Sequence, residues 1–215
     1  MKIVILGAGY AGVFAAANLC KHVDIEILLI DKNPYHQLLQ QIHHVTSDTK
    51  RPDEITFSIK ELFQNDVSFM QSSVESIDLE NKIVNTGNNM KVSYDYLIVA
   101  LGSSSLYYRI QGAQEHSYPF RSVNDVIKLN EVINTLHAGS TIAICGGGAT
   151  EISLAGALSD VVGSKFKKVI EAHSNILLGW DRRIVEMATK SLLENNVEII
   201  AGNPIMEITQ SSITL

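Results

Sequence analysis

The sequence predicts an α/β protein in which one unit occurs twice: a buried strand, a glycine-rich turn, a helix and a second buried strand. Three observations predict it. Two aliphatic runs end in glycine clusters, MKIVILGAGYAG and TIAICGGGATE, about 140 residues apart. Each cluster is followed by an Ala- and Leu-rich stretch of helical length, and each next aliphatic run ends in an acid, Asp31 or Glu171. With 46% hydrophobic and 19% charged residues over 215, the chain can bury a sizeable core without disulfides or a structural metal. That length suits one large domain or two small ones. The net charge of −6 has no basic run within it, so nucleic acid is not an expected partner. Cys20 and Cys145 lie in apolar stretches and read as buried thiols in a reducing compartment.

Taken in order, MKIVILG reads as a buried strand, residues 11–20 as a helix and IEILLID (25–31) as a second strand. Together they have the size of one crossover unit. Lys2 and the apolar run after it imitate a signal peptide, but glycines at 7, 9 and 12 would break a signal helix in its middle. Residues 33–45 show no clean period. Pro52 suits the first position of a helix running to about Phe63. VSFMQ, VESIDL, KIVN and MKVSY alternate between turn signals and suggest a small antiparallel meander, after which YDYLIVALG returns to a buried parallel strand.

Residues 103–119 carry little periodicity and form the expected boundary between domains at 1–112 and 113–215. Beyond it, 124–136 reads as a helix and TIAIC as a strand. A helix to about Val162, KKVIEA as a strand, a helix capped by Asp181 and the strand VEIIAG complete the second half. No apolar run approaches the roughly 18–20 residues that span a bilayer.

The turn Gly7-Ala8-Gly9-Tyr10-Ala11-Gly12 sits between strand and helix, with Asp31 about twenty residues on: the spacing of a Rossmann dinucleotide fingerprint. Gly7 makes the tight turn, Gly9 admits a pyrophosphate to the backbone and Gly12 lets helix and strand pack closely. Asp31 accepts from ribose hydroxyls, and the helix N-terminus attracts the phosphates. The second turn, Gly146-Gly147-Gly148-Ala149-Thr150-Glu151, is followed by Glu171, an acid that favours NAD over NADP. Its third motif position is Glu151 instead of glycine. The helix dipole tolerates an acid there, but the charge falls close to where an anionic pyrophosphate would lie.

Further strings resemble one branch of the two-dinucleotide flavoproteins, the type II NADH dehydrogenases (NADH:quinone oxidoreductases). They are DKNPYHQLLQQIHHV, RPDEITFSIKEL, YDYLIVALGS, RIQGAQEHSYPFRSVNDVIKL and LLGWDRRIVEMATKSLLENNVEII. The resemblance covers essentially the whole chain and implies an FAD-type Rossmann unit followed by an NAD-type one, both incomplete. It implies that Gly7, Gly9, Tyr10, Ala11 and Gly12 cradle FAD with Asp31 and Lys32 at its ribose. Val74 falls where the family contacts adenine, and Ala100, Leu101 and Gly102 where the chain passes the flavin. Gly146, Gly148 and Glu171 match on the NAD side.

The chain departs from the family's pattern at Glu151, at Ser153 (usually glutamate) and at Gln40 (usually proline). Family members run to roughly twice this length, so the resemblance implies a truncated chain. In the family the second half carries a flavin-holding Gly-Asp, the quinone-site residues and C-terminal membrane helices, which the resemblance implies lie outside this chain.

The implied activity is hydride transfer from NADH to FAD and electron delivery to a quinone or other acceptor. That chemistry belongs to the cofactor and requires no catalytic side chain. Residues 32–64 hold no cysteine, which removes thiol–disulfide chemistry. A non-catalytic nucleotide-binding fragment, favoured by Glu151 and Ser153, and a sulfide:quinone or iron–sulfur-protein reductase stay open as alternatives. His36, His43 and His44 lack an acid or cysteine to complete a metal site, so no metal is expected. The resemblance implies a cytoplasmic chain whose family lies peripherally on the cytoplasmic face of the membrane. Apolar surface where strands are missing implies a possible homodimer.

Overall fold

A computed structural model describes residues 1–64, 66–162 and 166–215. The chain divides into two compact units, one built from Met1–Leu38 and Asp53–Ser104, the other from Leu39–Pro52 and Ser105–Leu215.

The first unit opens with β1 (Lys2–Leu6), α1 (Tyr10–Leu19) and β2 (Glu26–Asp31). After them come β3 (Tyr35–Gln37) and, past the excursion into the other unit, β4 (Thr56–Ser58) and α3 (Ile59–Phe63); α2 (Ile42–Thr46) lies within that excursion. β5 (Ser68–Gln71), β6 (Val74–Asp78), β7 (Ile83–Thr86), β8 (Lys91–Ser93) and β9 (Tyr96–Val99) complete the unit. The main sheet runs β5-β2-β1-β9, all parallel. Alternation along β1 sends Ile3 and Ile5 to one face with Ala16 of α1 and Ile59 and Phe63 of α3. Val4 and Leu6 go to the other face, against Val84 and Val92 of the antiparallel β6-β7-β8 meander. A sheet with apolar side chains on both faces needs a cover on each, and helices and meander supply one apiece.

Three expectations are corrected here. The anticipated helix from Pro52 to Phe63 is a 3-10 turn at Pro52–Glu54, then β4, then the short α3. β4 pairs antiparallel with β3, a long-range partner that outweighs local helical periodicity. VSFMQ forms β5 of the main sheet, parallel to β2, and does not join the meander. β9 is an edge strand with Tyr96 and Val99 exposed, so it is less buried than its aliphatic sequence implies.

The second unit contains α2, α4 (Ala113–His116), α5 (Val123–Thr135), β10 (Thr141–Cys145), α6 (Ala149–Val161), β11 (Phe166–Glu171), α7 (Arg182–Glu194) and β12 (Val197–Ala201). β13 (Glu207–Ile208) and β14 (Ile213–Thr214) form a hairpin that the sequence pattern did not announce. Ile208 N–H donates to the Gln111 carbonyl at 2.9 Å and ties that hairpin down. The sheet is β10-β11-β12, parallel throughout. Its core gathers Ile144, Val169 and Val197 with Leu154, Ala155 and Leu158 of α6, Ile133 of α5 and Leu192 of α7. α2 packs on α5 and α6, and Asn130 Nδ2 donates to the Val45 carbonyl at 3.0 Å. Asp181 caps α7 as expected, its carboxylate accepting the Arg183 N–H at 2.9 Å. Cys145 ends an edge strand and is exposed, and Cys20 is half-buried, so neither is the fully buried thiol that the apolar context suggested.

Candidate functional site

Each unit carries a glycine-rich turn at the C-terminal end of its first strand. In the first, Gly7 reverses the chain at φ +102°, a conformation glycine adopts without strain, and donates its N–H to the Ile30 carbonyl at 2.7 Å. A Cβ on Gly7 would overlap the Ala100 carbonyl oxygen and approach Leu101 Cα, so the turn lies against residues 100 and 101. Ala100 N–H donates to the Leu6 carbonyl at 2.8 Å, and Leu101 and Gly102 continue outward, exposed. Gly12 lies beneath the turn, where a Cβ would overlap the Gly7 carbonyl oxygen. Gly9, the N-cap of α1, has no atom of a non-adjacent residue within 4 Å of its Cβ position among the described residues. Gly9 offers α1 no side-chain cap, and Tyr10 and Ala11 lie exposed at the helix N-terminus, the positive end of its dipole. An anionic diphosphate fits such a cradle, and in that respect the first turn suits FAD.

Asp31 closes the turn from the neighbouring strand. Its Oδ2 accepts the Ala8 N–H at 2.7 Å and its Oδ1 the Asn33 N–H at 2.8 Å, leaving lone pairs on both oxygens for hydroxyl donors. The buried His36 places Nδ1 2.9 Å from the Ala8 carbonyl oxygen and meets the Tyr10 ring edge-on at 4.9 Å between centroids. His36 thus braces the turn, a role that a lone histidine in an aperiodic stretch does not announce. Lys32 is exposed, its carbonyl accepting Gln71 Nε2 at 3.2 Å. Val74 opens β6 half-buried, three residues past the Gln71 that pairs with Asp31.

The second turn repeats the inner half of this arrangement. Gly146, at φ +115°, donates to the Ile170 carbonyl at 2.8 Å. Gly147 N–H donates to Glu171 Oε2 at 2.6 Å, while Oε1 accepts the His173 N–H at 2.7 Å and lies 2.6 Å from His173 Nδ1. Partial burial works against the Glu171 charge, but the His173 backbone and imidazole and the Gly147 N–H outweigh it and hold the carboxyl below its usual range. The Leu177 N–H donates to the Gly147 carbonyl at 2.7 Å, the service that His36 performs for Ala8.

The outer half differs. Glu151, in the first turn of α6, folds its side chain over the glycines. A Cβ on Gly148 would lie 2.7 Å from Glu151 Oε2, and one on Gly146 would lie 3.4 Å from its Cγ. The ribose end of this turn matches that of the first; at the pyrophosphate end the Glu151 carboxylate lies over Gly148, where the first turn is clear. Ser153 is exposed and donates to the Ala149 carbonyl at 2.8 Å, a bond internal to the helix. The His43 and His44 rings lie 4.2 Å apart at a 37° tilt in α2, and burial together with His44 lowers the His43 pKa. They belong to a different unit from His36, and no group of metal-ligating side chains occurs among the described residues.

Comparison with known proteins gives concordant likenesses. The profile described as pyridine nucleotide-disulphide oxidoreductase matches residues 1–215. The NADH dehydrogenase-like protein YutJ of Bacillus subtilis is 28% identical over 93% of this chain and 56% of its own length. A type II NADH:quinone oxidoreductase of Staphylococcus aureus is 28% identical over 95% of this chain and 57% of its own. Among solved structures, NDH2 from Plasmodium falciparum in complex with NADH superposes with a TM-score of 0.89 at 19% identity, covering 99% of this chain and 50% of that one. The sulfide:quinone oxidoreductase of Aquifex aeolicus superposes with a TM-score of 0.84 at 20% identity, covering 99% and 53%. Both structural likenesses are statements of fold. The chain spans about half the length of the relatives it matches.

Proposed function

Because the chain belongs to the pyridine nucleotide-disulphide oxidoreductase family, we propose that it carries the FAD-binding and NAD-binding parts of a type II NADH dehydrogenase-like oxidoreductase. In this reading hydride passes from NADH to FAD and electrons go on to a quinone or other acceptor. FAD takes the stretch to about residue 112 and NAD the stretch 113–215. The observation that carries the proposal is the first turn, where an open approach at Gly9 lies at the positive end of α1 beside a carboxylate already oriented by Ala8.

On this assignment Gly7 and Gly12 hold the turn tight enough for Gly9, Tyr10 and Ala11 to meet the FAD diphosphate. Asp31 accepts from its ribose, with Lys32 alongside and Val74 near the adenine. Ala100, Leu101 and Gly102 run beside the flavin. Bound flavin supplies the redox chemistry, and the chain supplies position and electrostatics. On the NAD side Gly146, Gly148 and Glu171 take the corresponding places, and Glu171 faces the ribose end, where its charge disfavours a 2′-phosphate. The 28% identity to a type II NADH:quinone oxidoreductase supports the quinone as acceptor. No helix among the described residues is long and apolar enough to cross a membrane, which is compatible with a peripheral, cytoplasmic-face location. The exposed edge residues Tyr96 and Val99 are compatible with a homodimer.

The test is the absorption spectrum of the purified chain, with released flavin identified and the spectrum repeated anaerobically after NADH. Bound FAD that bleaches supports the full reading. Bound FAD that stays oxidised confines the chain to nucleotide binding, the alternative that Glu151 favours. Absence of flavin after incubation with FAD removes the flavoprotein reading for this chain.

A further inference from the structure

The second turn's role as a dinucleotide seat is taken from the reading above, and the following inference rests on it. In a turn of this type the second glycine marks where the diphosphate comes closest, because a side chain there would stand in its way. The first turn keeps that point clear, with no atom of a non-adjacent described residue within 4 Å of the Cβ position on Gly9. In the second turn the matching point on Gly148 has Glu151 Oε2 at 2.7 Å and Glu151 Cδ at 3.9 Å. The same side chain lies along Gly146, with Cγ and Cδ 3.4 and 3.5 Å from its Cβ position. A carboxylate therefore occupies, at the positive end of α6, the space that the first turn leaves for a phosphate.

We propose that Glu151 is an internal anion seated in the pyrophosphate site of the second turn, so that NAD(H) binds there only by displacing it. Carboxylate and diphosphate carry the same sign of charge and seek the same helix N-terminus, and at roughly 4 Å their repulsion exceeds thermal energy even in bulk water. They cannot share the seat. Displacement is feasible, since among the described residues no hydrogen bond or ion pair ties the Glu151 carboxylate down. Glu151 acts on the diphosphate that NAD and NADP have in common, whereas Glu171 acts on the ribose. The obstruction thus weakens every diphosphate-bearing ligand of the second turn and leaves choice between the two cofactors to Glu171.

The test titrates NADH, ADP and adenosine against the full chain, its E151Q variant and its E151A variant, each saturated with FAD so that the first turn is filled, with FAD affinity measured beforehand. NADH and ADP are expected to bind E151A at least about tenfold more tightly than the original chain. E151Q, nearly isosteric and uncharged, should show a smaller gain in the same direction. Adenosine, which has no phosphate, should bind all three alike, and FAD affinity should stay constant. Equal NADH affinity across the three proteins would overturn the proposal while leaving the dinucleotide reading intact. So would a gain for adenosine as large as that for ADP, which would mean general loosening. If no variant binds NADH or ADP while FAD is held, the second turn is not a dinucleotide seat, and both readings fall.

Discussion

Gly12 sits so close beneath the carbonyl of Gly7 that a Cβ on Gly12 would overlap that oxygen. Substituting Gly12→Ala is therefore expected to force backbone apart in a well-packed region, at a cost of about 1–3 kcal/mol. Gly9→Ala meets no protein atom and should change stability by about 1 kcal/mol or less. The same Gly9 substitution should weaken FAD binding at least about tenfold, because its methyl group enters the phosphate approach. Urea denaturation paired with FAD titration separates the two effects. A Gly9→Ala protein that binds FAD as before would remove the first turn from the binding site.

His36 holds the Ala8 carbonyl from a buried position. Replacing it with Phe keeps an aromatic ring but leaves that carbonyl without its partner, an expected loss of about 1–3 kcal/mol. FAD affinity should fall with it, since the turn loses its brace. The second turn uses the Leu177 N–H for the equivalent carbonyl, so NADH binding to a His36→Phe protein saturated with FAD should be unchanged. Calorimetric melting and parallel ligand titrations check this.

Glu171 gives the protein a specific acid sensitivity. Its folded-state carboxyl lies below its usual range because the His173 and Gly147 bonds outweigh partial burial. The folded state thus holds the charged form more firmly than the unfolded chain does. The resulting stability is fully present above the ordinary carboxylate value of about 4.3 and is lost as pH falls through and below it. Glu171→Gln should lower the urea midpoint at pH 7, and the gap to the original protein should close as pH approaches 3. A gap that is constant with pH would mean that the side chain contributes shape alone.

Asp181 caps α7 through the Arg183 N–H. Its side-chain and backbone bonds to Arg183 lower its pKa. Asp181→Ala should lower the melting temperature, and Asp181→Ser, which keeps an acceptor at the cap, should recover most of the loss. Equal melting temperatures for the Ala and Ser variants would show that the cap bond does not stabilise the helix.

Both strand–turn–helix–strand units were legible in the sequence because each rests on local signals: an aliphatic run, glycines at fixed offsets and a terminal acid. The helix expected at 52–63 failed for an instructive reason. Ile55, Ile59 and Phe63 recur every fourth residue and are all buried, which reads as one helical face. The chain presents them from a 3-10 turn, a strand and a short helix in succession, because Thr56–Ser58 finds a partner in Tyr35–Gln37. Likewise, nothing near VSFMQ reveals that it pairs with β2, since parallel pairing is decided by residues far away in sequence. At the site, the spacing identifies Glu151 as the wrong residue type for its position. Where its carboxylate goes depends on a side-chain conformation that no spacing encodes.

The excursion Leu39–Pro52 means that the polypeptide passes from one unit to the other three times. No single scission yields both units whole: a cut near Ser104 separates the second unit from α2, and with it from the Asn130–Val45 bond. The excursion also leaves and re-enters the first unit at one doorway, where the Leu38 N–H donates to the Ile55 carbonyl at 2.9 Å and β3 lies beside β4. Once that doorway is shut, the segment is a tethered loop with both ends fixed, and docking it adds little further closure entropy. The interleaving is a property of the chain's path, and the β3–β4 pair closes the excursion at its base.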